Sequence, residues 1–397
     1  MNLLCVYYSC YFEIRNNTIF TMPAYDINYW QKYLEVFDTI TIVGEPPRKG
    51  SDTSKMVPID SERIELRIIP ENIHPRDFKN DSFIKKELNK LISNAESILI
   101  QPTSRKGMMA IEIAKRYNKP YMLEFTGDLR LNLKTSNSLL KRAYSHIIHR
   151  QIIKSIKDAK YALYVTKEYL QKVYPINGIT CGCTDAHVSS LSNAVLKKRI
   201  KRINQLDASK VHIGLIGSYS GNRKGIDTAI KAISLLPFKN ITLHILGFGS
   251  ENDKEKWFSY ADKRGVRNML VFDKPLTSNE DVLLWIDNMD ICILPSRSEG
   301  LPRCVVESNS RACPSITSNV CGLQELVESK WTHKPSDYRK LSFLIKEMLS
   351  NKEEMIKSAI NNYNLSKEYT VERLNSVRNS FFEQFKKAAE NIKTINN

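Results

Sequence analysis

Short apolar segments alternate with helical segments along most of this chain, and this alternation is what most restricts its fold. In the first half, strands are predicted at residues 3–8, 40–43, 64–69, 98–101, 121–125 and 161–165. Apolar residues at helical spacing predict helices between them at residues 25–36, 81–94, 106–117 and 138–157. Strands that alternate with helices favour a mostly parallel sheet covered on both faces.

The alternation stops near residue 175 and restarts near residue 211. The intervening segment holds Pro175, Gly178, Gly182 and a basic run, which is typical of a linker. Further strands are predicted at residues 212–216, 242–246, 269–272, 291–294 and 315–317, and a long final helix at 371–392. We therefore predict an N-terminal α/β domain at 1–180, a linker at 181–210, a second α/β domain at 211–370 and a C-terminal helical segment at 371–397.

The composition fits a globular protein with free thiols. Hydrophobic residues make up 42% of the 397 residues, and no apolar run is long enough to span a bilayer. The eight cysteines include no Cys-x-x-Cys pair, so we expect free thiols in a reducing compartment and no zinc site. The first eight residues lack a basic leader and a cleavage site, which favours a strand and a cytoplasmic protein.

The chain is strongly basic, with 59 Lys and Arg residues against 43 Asp and Glu residues and a net charge of +16. This balance indicates an anionic partner, but nucleic-acid-binding motifs are missing and nucleic acid is not expected. Residues 139–156 predict a basic amphipathic helix of the kind that binds membrane surfaces. An ordinary packed helix with a charged outer face explains the same residues, so contact with the inner face of a membrane is one of two open alternatives.

Two carboxylates lie within the stretch from Leu294 to Leu326. Glu299 is predicted in the loop after an apolar strand, and Glu307 about one helical turn into the helix that follows. Pro302 suits the first position of that helix, and Gly300 permits an unusual backbone angle and the close approach of a ligand. Free amides at a helix start attract phosphate, and a carboxylate accepts two bonds from a vicinal diol. Taken alone, the pair is better explained by a capped helix with a solvated Glu, and only the surrounding residues favour a ligand site.

A Gly-rich loop follows the strand predicted at 212–216. It runs Gly217-Ser218-Tyr219-Ser220-Gly221-Asn222-Arg223-Lys224-Gly225 and leads into a helix. Such a strand-to-helix turn with cations suits a diphosphate. The loop has neither the P-loop sequence nor the dinucleotide-binding fingerprint. A solvated basic turn is the alternative.

Together, the strand, Glu-Gly-Leu-Pro, the second Glu, Cys-Pro and a later Gly-x-x-Glu resemble the retaining family 4 of glycosyltransferases, which have the GT-B fold. The resemblance implies two Rossmann-like doubly wound domains that face a cleft, with a C-terminal helix crossing back to the first domain. It also implies that Glu299 contacts the donor sugar, Glu307 the nucleotide ribose and Lys224 the leaving diphosphate. Further donor contacts would come from Gly217, Ser218, Arg223, Gly300, Leu301, Pro302 and Arg303.

The chain departs from this family in three places. Ser218 stands where an Arg is common, and Arg223 is expected to supply the second charge. The usual His on the acceptor side is missing, so Thr126 or Asp128 takes its place, although Asp128 fits a simple turn residue as well. Residues 16–18 replace the Gly pair expected in the first loop.

The resemblance therefore implies a metal-independent, retaining glycosyltransferase without a cofactor. Its donor would be a UDP- or GDP-linked sugar, with Phe248 and Asp273 near the base. Its acceptor would be a saccharide or a lipid-linked sugar in the synthesis of a bacterial surface polysaccharide, such as capsule or lipopolysaccharide. Two alternatives remain: a sugar-nucleotide epimerase on the same fold, and a non-catalytic basic protein that binds membranes or nucleic acid.

Overall fold

The first half of the chain forms a nine-stranded sheet. The computed structural model describes residues 1–47, 50, 52–70, 81–136, 138–207, 210–237 and 240–396. The parallel core of this sheet has the order β5-β3-β1-β6-β7-β8-β9, and β2 and β4 extend it as antiparallel strands beside β1. The strands are β1 (Asn2–Arg15), β2 (Thr18–Thr21), β3 (Thr39–Glu45), β4 (Val57–Ile59), β5 (Ile64–Ile68), β6 (Ser97–Ile100), β7 (Tyr121–Phe125), β8 (Tyr161–Tyr164) and β9 (Ile179–Gly182).

The second half forms a separate parallel sheet of six strands in the order β12-β11-β10-β13-β14-β15. β10 lies between β11 and β13, so the strand order reverses beside β10. Open α/β sheets usually bind their ligands at such a topological switch point. The strands are β10 (Val211–Ile216), β11 (Ile241–Leu246), β12 (Leu270–Asp273), β13 (Ile291–Leu294), β14 (Ser315–Ser318) and β15 (Thr332–His333).

Helices connect most of these strands and cover both sheets. Those of the first half are α1 (Ile27–Leu34), α2 (Asp81–Asn94), α3 (Arg105–Arg116), α4 (Leu129–Lys134), α5 (Leu139–Ile156), α6 (Tyr169–Val173) and α7 (Asn193–Asn204). Those of the second half are α8 (Ile226–Ile233), α9 (Glu251–Asp262), α10 (Asn279–Asp287), α11 (Arg303–Ser310), α12 (Tyr338–Ser350), α13 (Lys352–Ser366) and α14 (Val371–Asn396). The predicted alternation of strands and helices is confirmed, with element ends that differ by a few residues.

The structure differs from the prediction at the start of the first domain. β1 continues beyond the parallel core and turns back as a hairpin with β2, in the register Arg15↔Thr18. Asn16 and Asn17 form the two-residue turn with positive φ angles of 47° and 63°, which Asn tolerates better than most residues. The segment expected to be the first loop of the cleft is therefore the tip of a β-hairpin.

The predicted linker contains ordered elements. α7 lies within it, and the buried Arg199 of α7 donates hydrogen bonds to the carbonyl oxygens of Met289 (2.5 Å) and Ile286 (3.0 Å). A buried guanidinium that satisfies backbone carbonyls fixes this helix against the second sheet. The domain limits at residues 180 and 211 stay a prediction.

The last helix crosses back to the first domain, as predicted. Phe382 of α14 stacks on Tyr33 with a centroid distance of 5.3 Å and contacts Phe37 at 6.2 Å. Lys386 donates to the carbonyl oxygen of Val36 (2.8 Å), so both apolar and polar contacts hold the helix. Buried aromatic pairs of this kind add specific geometry to the area that they bury.

The described residues also bear on two expectations from the sequence, one about disulfides and one about membrane-spanning helices. The eight cysteines are free, which confirms the predicted thiols. None of the helices in the described ranges is both long enough and apolar enough to cross a membrane.

We predict that Phe382→Ala destabilises the protein by about 3–5 kcal/mol, because it leaves a cavity between α14 and the first domain. Urea unfolding followed by circular dichroism measures this change. Val377→Ala removes a partly exposed side chain from the same helix and is the matched control, which should change stability by less than about 1 kcal/mol. Equal effects of the two substitutions would contradict the docking of α14.

Candidate functional site

The two predicted donor loops lie side by side at one edge of the second sheet. β10 and β13 are neighbouring parallel strands, in the register Ile213↔Ile291. Because parallel strands end at the same edge, the loop after β10 and the loop after β13 meet there. The fold therefore brings together side chains that are about 75 residues apart in the chain.

An ion pair joins the two loops at their centre. Lys224 Nζ donates to Glu299 Oε1 at 2.7 Å, and the Ser296 hydroxyl donates to the same oxygen at 2.6 Å. Both charged side chains are largely buried. A Cβ atom at Gly217 would come within 2.8 Å of the Lys224 side chain, so this glycine makes room for the lysine.

Arg297 connects the two loops to each other and to α8. Its guanidinium makes two hydrogen bonds to the carboxylate of Asp227 on α8, at 2.8 and 2.9 Å, and a third to the carbonyl oxygen of Asn222 at 2.7 Å. Burial alone would raise the pKa of Asp227, but the bonds to Arg297 outweigh it and the pKa is lowered. Such bidentate pairs fix geometry as well as charge. Neither residue was among the predicted site residues.

Glycine is required where the first loop enters α8. Gly225 has φ = 74°, in the left-handed region that side chains disfavour, and a Cβ atom there would lie 2.0 Å from the carbonyl oxygen of Pro295. The loop around Lys224 therefore packs directly on the backbone of the other loop.

Glu307 lies inside α11, one turn from its start, as predicted. Arg303 Nε donates to Glu307 Oε1 at 2.7 Å, and the Arg303 side chain is 54% exposed. Burial raises the pKa of Glu307, and the charge and hydrogen bond of Arg303 lower it only in part. The helix begins at Arg303 and not at Pro302, because Pro302 has extended backbone angles and is the N-cap.

The start of α11 has no side-chain cap, because Pro302 makes no side-chain bond to the first turn. The positive end of the helix dipole favours an anion at this point. The half-buried Cys304 lies near Lys224, Glu299 and Glu307, and desolvation raises the pKa of its thiol to about 12, so it remains a neutral thiol.

Gly300 brings this loop into contact with the first domain. A Cβ atom at Gly300 would lie 2.3 Å from the carbonyl oxygen of Thr126, so the glycine is needed for close approach. Its φ angle is not in the positive region, and the expectation of an unusual backbone angle is therefore wrong. Leu301 is half-buried against the core of the second domain. The Ser298 hydroxyl also donates to the side chain of Asn132 on α4.

A carboxylate of the second domain caps a helix of the first. Glu325, from the predicted Gly-x-x-Glu, accepts hydrogen bonds from the backbone amides of Lys167 (2.7 Å), Glu168 (3.0 Å) and Tyr169 (2.8 Å). These amides open α6, where a negative charge is favoured. The contact holds the two domains close beside Gly300. The motif was noticed in the sequence, but this role was not predicted.

The expectation that Asp128 faces the acceptor is wrong. Asp128 is fully buried and is the N-cap of α4, where it accepts from the Leu131 amide. Its carboxylate also accepts from the hydroxyls of Tyr169 and Tyr174, each at 3.0 Å. Burial raises the pKa of both tyrosines, which keeps them protonated as donors. The residue therefore stabilises the first domain and is not a catalytic candidate.

Ser218 and Arg223 belong to the Gly-rich loop, Phe248 lies beside it, and Asp273 is the last residue of β12. Ser218 donates to the carbonyl oxygen of Phe248 at 3.0 Å, and the Arg223 side chain is exposed. The ring of Phe248 is exposed beside this loop. Asp273 Oδ2 accepts a hydrogen bond from Trp285 Nε1 at 2.8 Å and lies 3.1 Å from Nδ1 of His244. This oxygen is therefore engaged by two side chains of the second domain.

We predict that Gly300→Ala moves the two domains apart, because the new methyl group pushes the loop away from the carbonyl oxygen of Thr126. Small-angle scattering should show a larger radius of gyration. Gly127→Ala is the matched control, since a Cβ atom there meets nothing within 4 Å and its φ is not positive. Equal behaviour of both variants would contradict this interdomain contact.

Known proteins resemble this chain in sequence. Residues 197–364 match the family model described as "Glycosyl transferases group 1". The chain is 29% identical to protein CapJ of Staphylococcus aureus over 365 residues, which covers 90% of this chain and 89% of CapJ.

Solved structures resemble the whole chain. Anabaena Alr3699/HepE in complex with UDP-glucose aligns with a TM-score of 0.62 at 13% identity, over 97% of this chain and 99% of that one. WaaG, a glycosyltransferase involved in lipopolysaccharide biosynthesis, aligns with a TM-score of 0.58 at 15% identity, over 98% and 99%. These likenesses confirm the predicted two-domain GT-B fold. The group 1 domain at residues 197–364, together with the similarity to named relatives, supports a glycosyltransferase.

Proposed function

We propose that the protein is a metal-independent, retaining glycosyltransferase that moves a sugar from a UDP- or GDP-linked donor to a saccharide or lipid-linked acceptor. The observation that carries the proposal is the contact between Lys224 and Glu299, which places a cation and a carboxylate together at the meeting point of the two loops. A cation there neutralises a leaving diphosphate, and a carboxylate there binds sugar hydroxyls.

The donor nucleotide would lie across the start of α11. Glu307 is within the first two turns and has one carboxylate oxygen engaged by Arg303. Its other oxygen and the exposed Arg303 are suited to the ribose hydroxyls and a phosphate, respectively. The exposed ring of Phe248 would stack on the base, because aromatic rings bind bases through their faces.

The diphosphate would bind between Lys224 and the uncapped amides of α11. When the bond between the anomeric carbon and the phosphate oxygen breaks, negative charge develops on that oxygen. Lys224 and the helix start supply fixed positive charge at this point, and Arg223 is close enough along the loop to add to it. Because these cations come from the protein, no metal ion or cofactor is required in the proposal.

Retention requires the acceptor hydroxyl to attack from the face that the diphosphate leaves. The new bond forms between the acceptor oxygen and the anomeric carbon, and the proton of the hydroxyl passes to the departing diphosphate. Contacts of Gly300 with Thr126 and of Glu325 with α6 bring the two domains together around this point. A closed cleft excludes water and so limits hydrolysis of the donor.

Two relatives support the choice of substrates. HepE was solved with UDP-glucose, which favours a UDP-linked donor, and WaaG is involved in lipopolysaccharide biosynthesis, which favours a surface polysaccharide as the product. We place the protein in the cytoplasm, where nucleotide sugars are made, with the acceptor at the inner face of the membrane.

The experiment that tests this function incubates the protein with UDP- and GDP-linked sugars and a panel of saccharide acceptors, with and without EDTA. We expect nucleotide release that requires an acceptor, is unaffected by EDTA and gives a product with the anomeric configuration of the donor by NMR. Conversion of the donor without acceptor would instead indicate an epimerase. Loss of activity in EDTA would contradict metal independence.

We predict that Glu307→Ala weakens donor binding about 10- to 100-fold, because two hydrogen bonds to a charged group are lost. Ligand-observed NMR or calorimetry with the nucleotide sugar measures the affinity. Glu347→Ala, an exposed Glu on α12, is the control and should bind as the parent does. Unchanged affinity in Glu307→Ala would show that the ribose lies elsewhere.

We predict that Lys224→Met lowers kcat about 100- to 1,000-fold, since it removes charge where charge develops on the leaving group. Steady-state kinetics with saturating donor measures the effect. Lys231→Met on α8 is the control, because it removes a half-buried cation that lies outside the two loops. A normal kcat in Lys224→Met would contradict the proposed role.

We predict that donor affinity falls as the pH is lowered, and that the fall begins at a higher pH than the pKa of an exposed glutamate would give. Burial raises the pKa of Glu307, so its carboxylate gains a proton and loses acceptor capacity before an exposed Glu does. A titration of affinity against pH with a nucleotide sugar, whose diphosphate does not titrate in this range, detects the effect. The same pH profile in Glu307→Gln would show that another group is responsible.

A further inference from the structure

The N-terminal half of α5 projects an apolar surface into solvent. Leu139 is 75% exposed, Leu140 83%, Tyr144 48% and Ile147 55%. Their positions along the helix recur at i, i+1, i+5 and i+8, so they share one side of it. We call this set the α5 patch.

The patch is not part of the core of the first domain. α5 packs on that core through Ile148, Ile152 and Ile156, which are buried. These residues lie on a different side of the helix from the patch. Contiguous exposed apolar side chains of this size mark a surface that another molecule covers.

The charge around the patch has one sign. The sequence from Leu129 to Lys157, which spans α4 and α5, has no Asp or Glu. Its exposed cations are Lys134, Lys141, Arg142, Arg150, Lys154 and Lys157. Lys141 and Arg142 directly follow the two most exposed leucines, so apolar and cationic groups occupy the same turns of the helix.

We propose that the α5 patch docks on the surface of a lipid bilayer that carries anionic headgroups. The leucines and Ile147 would enter the boundary of the acyl chains, Tyr144 would lie at the headgroups, and the cations would contact lipid phosphates. Long Lys and Arg side chains reach the headgroups while their stems stay with the apolar groups.

Two other occupants fit the patch less well. A nucleic acid would pair with the cations but would leave the adjoining leucines without an apolar partner. A second copy of the chain in a symmetric dimer would place like charges opposite each other, because the segment has no acidic residues. An anionic bilayer satisfies both the apolar and the cationic groups.

The patch lies near the cleft. α4 directly precedes α5 and packs against it, and Asn132 of α4 contacts Ser298, the neighbour of Glu299. Docking through α5 would therefore hold the mouth of the cleft near the bilayer. Membrane binding itself does not depend on the proposed transfer reaction, so either proposal can fail without the other.

The test is flotation of the purified protein with vesicles of phosphatidylcholine alone and of phosphatidylcholine mixed with phosphatidylglycerol. Two double variants probe the patch: Leu139→Ser with Leu140→Ser, and Lys141→Gln with Arg142→Gln. The matched controls lie on the second domain and also replace exposed residues: Leu284→Ser with Phe343→Ser, and Lys334→Gln with Lys346→Gln. Circular dichroism and donor binding confirm that each variant is folded.

We expect the parent and both controls to float with the mixed vesicles, to float poorly with phosphatidylcholine alone and to detach as salt is raised. Each patch variant should bind the mixed vesicles at least about tenfold more weakly. Binding that is absent in the parent, or equal in patch and control variants, would overturn the proposal. A dimer that only the leucine variant disrupts, or RNA binding that only the cation variant loses, would also overturn it and assign the patch to that partner.

Discussion

The bond between Arg297 and Asp227 holds the candidate site in place. It joins the loop after β13 to α8, which follows the loop after β10, with two short hydrogen bonds between a guanidinium and a carboxylate. Neither loop has regular structure, so this pair, together with the packing of Gly225 on Pro295, fixes the geometry of the Lys224–Glu299 contact. A partly buried bidentate pair is one of the stronger polar contacts available to a protein.

The second domain alone does not complete the cleft. Gly300 meets the carbonyl oxygen of Thr126, and Glu325 caps α6 of the first domain, both from segments next to the donor loops. The same few residues therefore position the loops and set the separation of the domains. Under the proposed function, this arrangement would link donor binding to closure of the cleft, since a donor that moves the loop of Glu299 would also move its contact with Thr126.

Much of the fold could be predicted because its parallel strands are short, apolar and separated by helices. The hairpin of β1 and β2 was missed, since its turn uses Asn16 and Asn17 in place of the glycines that usually signal such a turn. α7 was missed because its sequence is dominated by basic residues, although it has apolar residues at helical spacing. Local sequence patterns describe neighbours along the chain well and distant contacts poorly.

In the candidate site, too, residues within local motifs were predicted and distant contacts were not. Lys224, Glu299 and Glu307 were predicted from motifs, and the structure brings them together beside Cys304. Arg297 and Asp227 were not predicted, because only the pairing of β10 with β13 makes them neighbours. Asp128 was misassigned because a carboxylate after a Gly looks the same in sequence whether it is exposed or buried. Its contacts with Tyr169 and Tyr174 arise from residues more than 40 positions away.

The most direct test of the central claim is a crystal structure of the protein with a bound, intact nucleotide sugar. We expect the ribose hydroxyls on Glu307, and the diphosphate within hydrogen-bond distance of Lys224 Nζ and of the first amides of α11. A nucleotide bound against the first sheet, with Lys224 still paired to Glu299 and no phosphate beside α11, would contradict it.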